Sequence, residues 1–120
     1  MSETDNKTLQ ESLVTIGSEL FRFQRVFEKA ISKLEITEQS KYMSQFSWFS
    51  KKVNKALNDA NIKLLSLDGQ QYDAGMAVTP LNIDEFEPND RLYVVQTIEP
   101  VIMKDDALIK TGTVILGRIE

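Results

Sequence analysis

Hydrophobic residues of the chain fall at Leu9, Leu13, Ile16, Leu20, Phe23, Phe27, Ala30 and Leu34. The gaps run 4-3-4-3-4-3-4, a heptad seam that puts one apolar stripe along a single helix. Thr8 to Glu11 fits a capping box, so the helix is expected over 8–35, about 40 Å long, behind a frayed polar tail at 1–7. Phe21, Val26 and Ile31 widen the stripe beyond a bare two-stranded seam, as suits a bundle. Thr37 to Ser40 breaks the pattern. A second helix over 39–60 then lines up Tyr42, Phe46, Phe49, Val53, Ala56 and Ala60, with Lys51, Lys52 and Lys55 mostly on its other side. Asn61 follows as a residue that tolerates the left-handed conformation ending helices.

From Ile62 the period shortens to that of strands. Asp68-Gly69 marks a hairpin-type turn, Met76-Ala77-Val78 is a short apolar run, and "NIDEFEPND" (82–90) is an acidic loop. "RLYVVQTIEPVIM" gives two strands broken at Pro100, and "LIKTG" and "TVILGRI" give two more. The expected fold is therefore α+β: a helical region over 8–61 and a compact antiparallel all-β domain of five or six strands over 62–120. An apolar stripe as wide as that of the first helix calls for more cover than one shorter helix provides. A homodimer forming a four-helix bundle is the expected solution.

Charge separates the halves. Residues 1–60 carry nine Lys/Arg and eight Asp/Glu, about +1, whereas 61–120 carry five and ten, about −5. The acidic total, net −4 with pI near 4.9, argues against a nucleic-acid or anionic-membrane binder. The absence of Cys and His removes disulfides, thiolate chemistry and the commonest general base and metal ligand. No apolar run nears the roughly 20 residues of a membrane span, and the polar start is unlike a secretory signal. The expected location is cytoplasmic.

Candidate chemistry is sparse. Asp84, Glu85, Glu87 and Asp90 offer carboxylates to a divalent cation but lack the alternation and central Gly of a calcium loop, so a solvated or partner-facing patch is the stronger reading. Asp68, Asp73 and Glu99 are carboxylates that no spacing pairs for acid–base work, and turn chemistry accounts for the first two. No catalytic set, metal or cofactor is expected, and no enzyme. The face of Tyr42, Phe46 and Phe49 reads as core or dimer interface rather than a base-stacking platform. Trp48 falls off that face. It is either packed under the β domain or an exposed anchor for a partner.

This order of parts resembles the GrpE family, nucleotide exchange factors of DnaK-type chaperones, which run long helix, bundle helix, then compact β-domain. The family's junction reads Gly-Val, alternating apolar residues, Gly, then Phe-Asp-Pro before a short apolar stretch. Here Asn61-Ile62, Leu64-Leu65, Gly69, Tyr72-Asp73-Ala74 and Met76-Ala77-Val78 stand in those places. "VVQTIEPVIM" and "ALIKTGTVILG" stand where the family has its C-terminal strands, with Lys110 at the second Arg of "RxxRPAxVxV". The likeness spans about residues 10–118. It departs in lacking the His-Glu pair before Ala-Val, in carrying Gln45 where a bundle Gly is common, and in having little N-terminal stalk. The resemblance implies a dimer that grips the ATPase domain of a DnaK-like chaperone and releases ADP, or an adaptor that keeps the fold without exchange. It implies a joint at Asn61, Gly69, Tyr72 and Asp73. It also implies partner contacts at Met76, Glu99, Pro100, Ile102 and Lys110, with Gln45 and Trp48 on the bundle. Ordinary β-core is the competing reading for Met76 and Ile102.

Overall fold

The computed structural model describes residues 2–120. Helix α1 spans Glu3–Ile31 and helix α2 spans Ile36–Asp59. The first helix begins at Glu3, ahead of the expected Thr8 and inside the stretch expected as a frayed tail. Ser2 is the N-cap, its hydroxyl accepting the Asp5 N–H at 3.1 Å. Ser2-Glu3-Thr4-Asp5 is itself a capping sequence with acids in the first turn. No breaker stands between it and Thr8, so the helix starts at the earlier cap.

Helix α1 also ends sooner than expected. Past Ile31 the N–H groups of Lys33 and Leu34 reach back only three residues, which tightens and stops the helix. The Gln39 amide donates to the carbonyls of Leu34 (2.7 Å) and Ser32 (3.4 Å), fastening the turn. Leu34, placed on the seam by its spacing, thus lies in this turn and not on the helix. Helix α2 ends as its sequence suggests, with Asn61 at φ 62°.

The chain divides into two compact units, Met1–Lys63 and Leu64–Glu120. Within the helical unit the two helices pack through a ladder of four rings. Phe23–Phe27, Phe27–Phe46 and Phe46–Phe49 have centroids 5.7, 5.0 and 6.3 Å apart. Leu20, Ile31 and Phe46 are buried, whereas Phe23 and Phe49, the outer rungs, are each about half exposed.

Six strands follow: β1 (Ile62–Leu65), β2 (Val78–Pro80), β3 (Leu92–Glu99), β4 (Val101–Lys104), β5 (Ala107–Lys110) and β6 (Gly112–Arg118). They form two three-stranded sheets, ordered β1-β4-β5 and β2-β6-β3. The β3–β6 and β4–β5 pairs are antiparallel as expected, but β2 runs parallel to β6, Val78 facing Gly112. Leu92 and Val94 of β3 and Val114 and Leu116 of β6 are buried as one core, with Leu67, Tyr72, Met76, Val78 and Phe86 packed on it.

Two details hold the β2-β6-β3 sheet in shape. Pro80 ends β2 and cannot donate to the ladder. Leu81 N–H bonds the Val114 carbonyl at 3.0 Å, and the Asn82 side chain then takes over. It accepts from Leu116 N–H and donates to the Leu116 carbonyl, both at 2.9 Å, as a strand peptide would. On the other side, β3 carries extra residues at Val95 and Ile98, where its register to β6 shifts. Such bulges bend a strand. At the resulting β3–β4 corner, a Cβ on Gly112 would lie 2.9 Å from the Glu99 carbonyl oxygen, so only Gly lets β6 pass.

Candidate partner-binding surfaces

The expected joint is a strap laid along β3. Asp68-Gly69 turns with Gly69 at φ 84°, a conformation that Gly adopts without steric cost. Its N–H bonds the Val94 carbonyl at 2.7 Å, Val94 N–H bonds the Gln70 carbonyl at 2.8 Å, and Tyr72 N–H bonds the Leu92 carbonyl at 2.8 Å. Asp68 and Thr97 close the strap. The Asp68 carboxylate accepts Thr97 N–H, and the Thr97 hydroxyl accepts Leu67 N–H at 3.0 Å. Asp73 caps the next turn by accepting Gly75 N–H at 3.0 Å, and the Met76 sulfur accepts Asp73 N–H at 3.2 Å. Gly69, Tyr72 and Asp73 are thus parts of one built segment, while Asn61 belongs to the end of α2.

The five contact residues expected on the β unit do not form one surface. Pro100 and Ile102 are buried, which corrects their assignment: the sheet turns both inward, where no partner reaches them in the folded chain. Met76 is half-buried on the β2-β6-β3 core, in keeping with the core reading. Glu99 and Lys110 are brought together. Lys110 Nζ lies 3.7 Å from the Glu99 carboxylate, which also accepts the Thr113 hydroxyl at 3.0 Å. This pair is partly exposed and is what remains of the expected set at the surface.

The acidic loop is organised internally. Asp90 accepts Glu87 N–H at 2.8 Å and meets Arg118 at 3.0 Å, and the Arg118 guanidinium stands 5.9 Å over the Phe86 ring. The Asp90 carboxyl is held below its ordinary pKa, chiefly by the Glu87 N–H and further by Arg118, against some desolvation. Glu85 meets the Asn82 amide at 3.3 Å. Among the described residues no group of three or more His, Cys, Asp or Glu is placed to hold a metal ion. Beside this loop Tyr72, Phe86, Pro88, Arg91 and Leu92 help line an open groove of about 440 Å³.

On the helical unit, Gln45 and Trp48 do come together. With Ser44 and Phe49 they line a shallow dish of about 530 Å³ on α2. Trp48 is 66% exposed, and Lys52 Nζ stands 5.3 Å over its ring. The α1 seam splits in two. Leu20 is buried and Leu13 and Phe27 are half-buried, whereas Leu9, Ile16 and Phe23, spaced by sevens, are exposed. No described helix is long and apolar enough to cross a membrane.

Compared with family models, characterised proteins and solved structures, the chain gives no match.

Proposed function

We propose that this chain is a dimeric GrpE-like co-chaperone of the cytoplasm that binds the ATPase domain of a DnaK-like chaperone and promotes ADP release. The observation that carries the reading is the exposed half of the helical seam. Leu9, Ile16 and Phe23 are exposed along one side of α1, Phe23 at the end of the buried ladder, and a second copy supplies the matching face of a four-helix bundle. The small acidic β unit, stiffened by its strap, is the grip.

Such a protein needs no catalytic group. It binds the open form of its client more tightly than the closed one, and by linkage weakens ADP binding by the same factor. A coupling of about 1–3 kcal/mol gives roughly a 5- to 150-fold change in affinity. The chain accordingly acts as a binding protein and not an enzyme.

A second reading is favoured by one observation: Pro100 and Ile102 are inside, and Glu99 and Lys110 engage each other. An adaptor that keeps dimer and client binding but has lost exchange needs fewer contacts on the β unit. Release of a fluorescent ADP analogue from a DnaK-like protein of the same cell separates the two. Faster release on adding the chain supports the exchange factor, and binding with unchanged release supports the adaptor. A chain that neither binds nor accelerates defeats both.

A further inference from the structure

Between Lys41 and Lys55 the chain carries four lysines and no carboxylate, within a protein of net charge −4. Helix α2 gathers Lys41, Gln45, Trp48, Lys52 and Lys55 on one face, because the steps 4-3-4-3 stay within one stripe. That face is turned away from buried Phe46 and Leu57. It is a second stripe, basic where the first is apolar. Lys55 is already engaged by Asp59 at 3.1 Å, while Lys41 and Lys52 lean on the rings of Tyr42 and Trp48.

An indole left two-thirds in water forfeits much of the gain available from burying it. Trp is also the side chain that most often anchors an interface. Here the indole and Phe49 form the apolar part of a dish, and Gln45 and Ser44 supply polar groups beside it.

We propose that this face docks an acidic segment of a partner protein, which inserts one apolar side chain between Trp48 and Phe49 and meets Lys41 and Lys52 with carboxylates on either side. The helix sets the spacing. Lys41 and Lys52 are about 16 Å apart along the axis, and Trp48 lies about 10 Å from the first and 6 Å from the second. An extended chain advances about 3.3 Å per residue. The matching segment has carboxylates about five positions apart and an apolar residue roughly three positions from one and two from the other.

Protein is favoured over other anions. A nucleic-acid strand presents evenly spaced phosphates to a chain that is acidic overall, and a lipid surface needs an apolar face broader than one indole and one phenyl ring. The proposal rests on the reading that Gln45 and Trp48 face a partner, and it adds that partner's chemistry.

Trp48 is the single Trp of the chain, so its emission reports this site alone. The probe is the blocked peptide Glu-Gly-Ser-Leu-Ser-Glu, titrated into the full chain. The expected result is a saturable blue shift that weakens with added salt. It is lost when Ser replaces the peptide's Leu or Lys replaces its Glu residues. Lys52→Glu lowers the affinity about fivefold or more with helicity unchanged by circular dichroism, whereas Lys33→Glu, off this face, leaves it as it was. An unmoved emission at millimolar peptide overturns the proposal, as does equal binding by Lys52→Glu. So does a shift given by oligothymidylate or phosphatidylserine vesicles but not by the peptide. No chaperone or nucleotide is present, so the outcome stands apart from the ADP-release assay. A chain that binds the peptide without releasing ADP loses only the exchange reading, and the reverse loses only this one.

Discussion

The Asn82 side chain does the work of a missing peptide group, and its replacement measures how much that is worth. Asn82→Ala removes two hydrogen bonds of 2.9 Å and leaves both polar groups of the buried Leu116 backbone unpaired on that side. A neutral bond contributes about 1 kcal/mol, and a buried polar group left without a partner costs about 1–3 kcal/mol. With two groups left unpaired, the expected loss is about 2–6 kcal/mol.

Asn82→Asp has the same shape but aims a carboxylate oxygen at the Leu116 carbonyl and at Glu85, 3.3 Å from the present amide. At neutral pH it is expected to lose at least as much as Ala. Urea unfolding followed by circular dichroism is the assay. With a slope of about 1–3 kcal/mol per molar urea, a loss of 2 kcal/mol moves the midpoint by roughly 1 M. Both variants within about 0.5 kcal/mol of the parent chain refute the bridging role of Asn82.

Other outcomes follow from the same contacts. Gly112→Ala is expected to cost about 1–3 kcal/mol in the same urea assay, because its Cβ meets the backbone of Glu99 and Val101, which cannot swing aside, as well as the Val101 side chain. Ser18→Ala is expected to stabilise the chain by about 1 kcal/mol, read by thermal melting, since the buried Ser18 hydroxyl has no hydrogen-bond partner among the described residues and Ala is the better helix former. Asp90 contributes stability at pH values above the ordinary carboxylate range, and this is lost as pH falls through its lowered folded value. The stability difference between the parent chain and Asp90→Asn should therefore shrink from about pH 6 to pH 3. In the proposed dimer, Phe23→Glu is expected to halve the mass measured by light scattering without loss of helicity, because Phe23 is the exposed end of the ring ladder. An unchanged mass removes the seam as the dimer contact.

What the sequence made legible was local. Seven-residue spacing in the first helix survives any error in its ends, and Asp68-Gly69 announces a turn through a residue that accepts positive φ, as Gly69 does here. The helix ends were less legible because Ser2 and Thr8 both begin a capping sequence and only one of them is used. The parallel β2–β6 pair was not legible. It joins residues more than thirty positions apart, and a three-residue strand ending in Pro carries no trace of its neighbour's direction. The same holds for the surface. Trp48 stood out by leaving the apolar stripe, which is a local signal. The burial of Pro100 and Ile102 depends on how β4 sits in its sheet, and their types alone fit either side of it. Asn82 reads only as part of an acidic loop, since nothing in the residue type says that its amide will stand in for backbone.

The strap along β3 has a consequence for how this chain meets others. It occupies the outer side of β3 from Leu92 to Thr97, β2 stops in a proline, and β5 opposes β4 with an extra residue at Ile109. Each is a known way of blunting an exposed strand. Open strands recruit copies of themselves through backbone bonds that any sequence can make, which is the route to fibres. Where those edges are blunted, recognition falls to side chains, and there a single substitution can change the choice of partner without turning the protein into an aggregate.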